Sequence, residues 1–168
     1  VLDAVKKKNL NACIIHPSGI IGPYDFGNSH LTQLVKKIIN GQLFACVKGG
    51  YDFVDVRDVA DGVISASEKN NRGECYILSN RYVTIKELAD VICDIIGRKK
   101  IKIVLPICLA KIIAPFFEQY YNLKKQTPLF TRYSLYTLSS NSNFCNKKAK
   151  KELNFINRNI TDTITDTI

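Results

Sequence analysis

Residues 13–25, Cys-Ile-Ile-His-Pro-Ser-Gly-Ile-Ile-Gly-Pro-Tyr-Asp, constrain the fold more than any other stretch of the chain. The apolar run Cys13-Ile14-Ile15 gives way at once to polar and backbone-special residues. That pattern reads as a short buried strand of a parallel sheet. Pro17 has no N–H to donate, so strand pairing is expected to stop there. Gly19, Gly22 and Pro23 are expected to turn the chain over the strand's carboxyl end. Ligands of open α/β sheets bind at that end, so the same stretch is the first place to look for a site.

The rest of the chain alternates helical and extended patterns. Val1 to Asn9 reads as the tail of a helix, with Lys6-Lys7-Lys8 suited to its negative end. Ser29 can cap a helix with Leu31, Leu34, Val35 and Ile38 on its apolar face, and Gly41 supplies a left-handed stop. Leu43 to Val47 reads as a strand, Gly49-Gly50 as a turn, and Asp52 to Val56 as a half-exposed strand of alternating acidic and apolar residues. The next helix opens on Asp58 and Asp61 and is expected to bury Val59, Ala60, Val63 and Ile64. Asp55, Arg57 and Asp58 fit helix capping plus a local ion pair better than a substrate wall. Cys75 to Leu78 follows as a strand. Thr84 to Gly97 is the clearest helix, with the capping box Thr84-x-x-Glu87, an apolar face of Ile85, Leu88, Ile92, Ile95 and Ile96, and Gly97 as its stop. Ile101 to Leu105 is expected as a strand and Pro106 as the opening of a helix. Tyr120 to Thr131 carries no regular pattern. Asn146 to Leu153 and Thr161 to Ile168 read as closing helices.

Three segments share a family likeness. His16-Pro17-Ser18-Gly19-Ile20-Ile21-Gly22-Pro23-Tyr24-Asp25 resembles the late-strand segment of the extended short-chain dehydrogenase/reductase superfamily, closest to its NAD-dependent epimerase/dehydratase and dihydroflavonol reductase-like branch. Tyr51-Asp52-Phe53-Val54-Asp55-Val56-Arg57-Asp58-Val59-Ala60 and Gly73-Glu74-Cys75-Tyr76-Ile77-Leu78 continue the likeness in family order, and it fades after about Lys100. The resemblance implies an α/β fold: the C-terminal part of a Rossmann-like doubly wound parallel sheet plus a smaller α/β substrate-binding region. It implies NAD or NADP as cofactor, with Pro17, Ser18, Gly19 and Ile20 against the nicotinamide and its ribose. It further implies Tyr24, Asp25 and Phe26 as walls of a substrate cavity, with Tyr51 and Phe53 as weaker candidates. The substrate would be a small carbonyl compound or alcohol, and the full-length protein could be a homodimer.

The family's acid–base pair is a Tyr whose phenol is made usable near neutrality by a Lys four residues on. Three Tyr-x-x-x-Lys matches occur, Tyr82/Lys86, Tyr120/Lys124 and Tyr121/Lys125. All follow the Pro-Ser strand, whereas the family places the motif before it, so they are read as chance. No glycine-rich dinucleotide loop is present, since Gly49-Gly50 lacks the strand–Gly-x-Gly-x-x-Gly–helix context. No catalytic residue is therefore assigned within the chain. Together with the 168-residue length, the absence of methionine and the helix tail at Val1, this makes the chain the expected C-terminal part of a longer enzyme. It is expected to form one folding unit over residues 1–168.

Other classes have less support. Six cysteines stand singly among apolar neighbours with no C-x-x-C, a pattern of reduced thiols in a cytoplasmic protein and not of a metal site. The net charge of +9 would suit a nucleic acid or an acidic membrane. Most basic clusters, however, close predicted helices as solvated faces, and no nucleic-acid module accompanies them. Ile101 to Phe117 is strongly apolar, but Lys102, Lys111, Pro106 and Pro115 argue against spanning a membrane and leave peripheral contact open. His16 at the strand end reads as a structural residue. The function expected is an NAD(P)-dependent ketone or aldehyde reductase. The alternatives are a sugar-nucleotide epimerase/dehydratase of the same superfamily and a non-catalytic dinucleotide-binding sensor or docking module.

Overall fold

The computed structural model describes residues 1–27, 29–69, 71–123, 132–140 and 142–168. Lys124 and Lys125, which end two of the Tyr-x-x-x-Lys matches, and most of the unpatterned stretch before Thr131 fall outside them. The chain is α/β with parallel strand pairs. Contacts gather the chain into two compact units: residues 1–23, 52–82 and 143–167 form the first, residues 24–51, 83–142 and Ile168 the second. The chain passes between them inside strands and short loops, so no composition shift or linker marks the crossings.

The first unit opens with α1 (Leu2–Lys8), closed by Asn9 in the left-handed conformation, whose N–H donates to the Ala4 carbonyl. Strand β1 (Ile14–Pro17) pairs in parallel with β5 (Cys75–Leu78), in the register Ile14 to Cys75 through Pro17 to Leu78. Pro17 does end β1, but the chain does not turn away there. Gly19–Ile21 forms a second strand, β2, parallel to β4 (Gly50–Asp55), with Gly19 opposite Phe53 and Ile21 opposite Asp55. The expected turn is thus deferred until after Ile21, because β4 offers Gly19 to Ile21 a new edge. Gly50 is a strand residue and not a turn. β6 (Arg81–Thr84), which sequence reading missed, is third in the order β2–β4–β6.

β4 is buried through Asp52, Phe53, Val54 and Asp55 and is not half-exposed. Its acids carried the misreading: they alternate like solvent-facing residues, yet both lie inside. Helix α3 (Val56–Glu68) buries Asp58, Gly62 and Ala66; of the stripe expected, Val59 packs on the core while Ala60, Val63 and Ile64 are exposed. Gly62 faces the core because a Cβ there would meet the Leu78 side chain at 2.7 Å. The core gathers Val54, Ala66, Tyr76, Leu78, Ala149, Leu153 and Phe155, with Cys13, Ile15 and Val59 packed on it. Helices α7 (Lys147–Leu153) and α8 (Ile160–Thr167) complete the unit.

The second unit holds α2 (His30–Ile39), β3 (Ala45–Val47), α4 (Ile85–Ile95), β7 (Ile103–Leu105), α5 (Ile107–Leu123) and α6 (Arg132–Leu138). Ser29 and Thr84 cap α2 and α4 as expected, accepting from the N–H groups of Thr32 and Glu87. Helices α2 and α4 pack together, and Leu34, Val35, Ile38, Leu88 and Ile92 of their apolar faces are buried; β3 pairs in parallel with β7. The Arg98 guanidinium donates to the Ile39 carbonyl at 2.6 Å, placing a cation at the negative end of α2.

Candidate functional site

The candidate site is the carboxyl end of β1 and β5. The Ser18 N–H donates to the Leu78 carbonyl at 3.0 Å, continuing the β1–β5 ladder one residue past Pro17. With its backbone engaged, Ser18 has only its hydroxyl to offer. That Oγ is buried and has no hydrogen-bond partner among the described residues, and the same holds for Ser79 Oγ at the end of β5. Buried hydroxyls are normally hydrogen-bonded, so a pair of orphans at the ends of adjacent strands invites an external partner. Gly19 is shaped by the protein itself: a Cβ there would lie 2.9 Å from the Asp52 carbonyl oxygen and 3.2 Å from the Phe53 ring. Ile20 is 42% exposed.

Ser79 is anchored by groups that sequence reading did not single out. Its carbonyl accepts from the side-chain amides of Asn146 at 2.6 Å and Asn157 at 2.9 Å, and the two side chains are hydrogen-bonded to each other. The neighbouring Asn80 N–H donates to the Asp52 carboxylate at 3.0 Å, which gives that buried acid a partner. No local pattern links residues some seventy positions apart.

Next to this edge, the amino end of α3 carries two buried carboxylates. Asp55 caps the helix by accepting from the Arg57 N–H at 2.7 Å, receives the Arg57 guanidinium on both oxygens, and accepts from the Thr163 hydroxyl at 2.7 Å. Burial works to raise its pKa, but the bonds from Arg57 and Thr163 outweigh it and hold the carboxyl below its ordinary value. Arg57 reaches on to Asp166 at 2.6 Å. Asp58 pairs with the Arg158 guanidinium and accepts from the Arg158 N–H at 2.8 Å. The capping and ion-pair reading of Asp55, Arg57 and Asp58 therefore stands, extended by Arg158, Thr163 and Asp166. These bonds tie α8 and the loop before it to α3. They brace the unit and leave neither acid as a general base.

The remaining candidates divide sharply. Phe53 is fully buried, with its ring beside Gly19, which makes it a core position. Tyr51, in the second unit, is half-buried; its hydroxyl donates to the Ser134 carbonyl at 3.0 Å, and burial pushes its pKa up. Tyr24 and Phe26 are 78% and 93% exposed. Asp25 between them organises its own loop, accepting from the N–H groups of Gly27 and Ser29 and from the Thr32 hydroxyl. Bonds from Ser29 and Thr32 lower its pKa to about 2. Lys86, of the match with Tyr82, is held by Asp90 one turn on at 2.6 Å, so it is a helix-surface ion pair. Among the described residues, no group of three or more metal-ligating side chains is assembled.

Comparison with known proteins agrees with this architecture. Residues 1–80 match the model of the NAD dependent epimerase/dehydratase family. The chain is 28% identical over 160 residues to sterol demethylase protein B of Methylococcus capsulatus, covering 93% of this chain and 48% of that protein. It is 28% identical over 114 residues to a putative dihydroflavonol 4-reductase of Synechocystis, covering 61% of this chain and 33% of that one. The crystal structure of gox2253 superposes with a TM-score of 0.79 at 31% identity, over 99% of this chain and 50% of that chain. The chain thus spans about half the length of its first curated relative and of this solved structure. β1, β2, β4, α3 and β5 all fall inside the matched segment, so the likeness to the NAD dependent epimerase/dehydratase family rests on residues 1–80, which hold these elements.

Proposed function

We propose that the chain works as the carboxyl-terminal half of an NAD(P)-dependent oxidoreductase that reduces a small ketone or aldehyde, or oxidises the corresponding alcohol. The observation that carries this reading is the buried, unpartnered Ser18 hydroxyl at the open end of β1, inside the segment that matches the family. Strand ends of this kind are where dinucleotides bind in doubly wound sheets, and an orphaned hydroxyl fits a ligand rich in amide and ribose hydrogen-bonding groups. When bound, the nicotinamide supplies or accepts the hydride. Pro17, lacking an N–H, adds no unpaired donor beside it. Ser18 gives or receives one hydrogen bond that fixes the ligand's polar edge, while Ile20 offers apolar surface. Tyr24 and Phe26 keep their rings free for a substrate, and Asp25 holds their loop in shape.

The likeness to a dihydroflavonol reductase favours simple carbonyl reduction. Epimerisation or dehydration of a sugar nucleotide is the second reading, favoured by the description of the matching family itself. The test is Ser18→Trp in the full-length protein, followed by NADPH fluorescence titration and circular dichroism. The expected outcome is loss of cofactor binding with the spectrum retained, because the residue sits at a strand's open end. Unchanged affinity would remove β1 from the pocket. Assays of the wild type with simple ketones and with UDP-sugars then separate the two reactions.

A further inference from the structure

Residues 99–117 contain four lysines, Lys99, Lys100, Lys102 and Lys111, and no acid. They span β7 and most of α5, and they leave unusual side chains outside. On α5, Ala110 and Ala114 are buried, while Cys108, Leu109 and Ile112 occupy the opposite face and are exposed, Ile112 at 66%. On β7, the adjacent residues Ile103 and Val104 are exposed at 56% and 42%, on opposite sides of the strand, so only one of them can share a face with α5. Phe44, 83% exposed, precedes Ala45, which pairs with Ile103, so Phe44 and Lys102 lie at the same end of the β3–β7 pair. At the other end, the exposed Lys48 donates its N–H to the Leu105 carbonyl at 2.8 Å, next to the start of α5. Lys100 pairs with the Asp94 carboxylate at 2.8 Å.

We propose that this β7–α5 face docks on the surface of an anionic lipid bilayer, with α5 lying in the interface. Exposed aliphatic side chains and exposed lysines within the one stretch 99–117 match both halves of such a surface, the acyl boundary and the anionic headgroups. A second copy of the chain is disfavoured, because a self-complementary contact would set Lys99, Lys102 and Lys111 against their own counterparts, and residues 99–117 hold no acid to offset them. RNA would satisfy the lysines but leave Leu109, Ile112 and Ile103 in water. Crossing the bilayer is a different matter: α5 has 17 residues with Pro115 inside it, and no helix among the described residues is long and apolar enough to span.

The test is vesicle flotation of the full-length protein, which separates lipid-bound protein from any aggregate. Vesicles of phosphatidylcholine alone are compared with vesicles also containing phosphatidylserine. Binding to the anionic vesicles is expected, falling as salt rises, with each of Lys99, Lys102 and Lys111 replaced by Ser weakening it about fivefold. Ile112→Asp is expected to weaken it by about tenfold or more, and its circular dichroism should be unchanged since the side chain is outside. No flotation with anionic vesicles would overturn the proposal. So would equal binding to both vesicle types, or binding to an RNA homopolymer that depends on the lysines but not on Ile112. Loss of self-association in Ile112→Asp, read by light scattering with lipid binding unchanged, would assign the face to a second copy instead.

Discussion

Asp55 and Asp25 are both carboxylates near the start of a helix, and both are held below the ordinary carboxylate pKa. They differ in where their partners come from. Asp25 is exposed and is satisfied by Gly27, Ser29 and Thr32, all within seven residues. Asp55 is fully buried and draws on Thr163 as well as Arg57, while its neighbour Asp58 draws on Arg158. The first arrangement shapes a loop in the second unit. The second fastens the end of the chain to the middle of the first unit, and only it should carry much of the global stability.

Asp55→Ala should therefore have the largest effect. It removes a helix cap and takes the buried carboxylate away from Thr163 and Arg57, costing about 3 kcal/mol in urea unfolding. A loss below about 1 kcal/mol would place it with ordinary surface pairs and dissolve the contrast. Because its folded pKa is lowered, the stabilisation is fully present above the ordinary value of 3.8 and fades as pH falls below it. Asp55→Asn should flatten that part of the acid limb of a stability–pH profile.

Tyr76 makes another long-range bond of the first unit, donating to Glu152 at 2.9 Å. Burial first, and that bond second, push its pKa up to about 12. The stabilisation is present below the ordinary value of 10.0 and is lost as pH rises from there through about 12. Tyr76→Phe should cost about 1 kcal/mol at neutral pH and remove this loss from the alkaline limb. An unaltered alkaline limb would show that the phenol does not titrate with folding. Asp25→Ser should have the smallest effect, leaving the unfolding midpoint unmoved while shifting the Gly27 and Ser29 amide resonances. A clear drop in the midpoint would mean that the exposed loop bears more of the fold than its local bonding suggests.

The same contrast explains what the sequence made legible. Features set within a few residues were readable: the caps at Ser29 and Thr84, the lysine-rich end of α1, the apolar faces of α2 and α4, and β1 and β5 themselves. Features set by distant chain were not. Gly19–Ile21 becomes a strand only because β4 lies beside it, and the acids of β4 become interior only because Asn80, Arg57 and Thr163 meet them. Val63 and Ile64 look like core on a helical wheel, yet Gly62 and Ala66 are the residues small enough to approach β5 and α7. At the candidate site, Pro17 and Ser18 stand out in the sequence only through the motif that resembles the family. Ser79, Asn146 and Asn157 carry no local signal, and only the fold assembles them.

The central claim is that this chain supplies one part of a dinucleotide site whose phosphate-binding loop it does not itself contain. The direct measurement is an NADPH fluorescence titration of residues 1–168 alone, with light scattering to follow association. The claim predicts no binding in the micromolar range and a tendency to associate through uncovered strand edges and apolar surface. A cooperatively unfolding monomer that binds NADPH at micromolar concentration would contradict it, and with it the placement of the cofactor at Ser18.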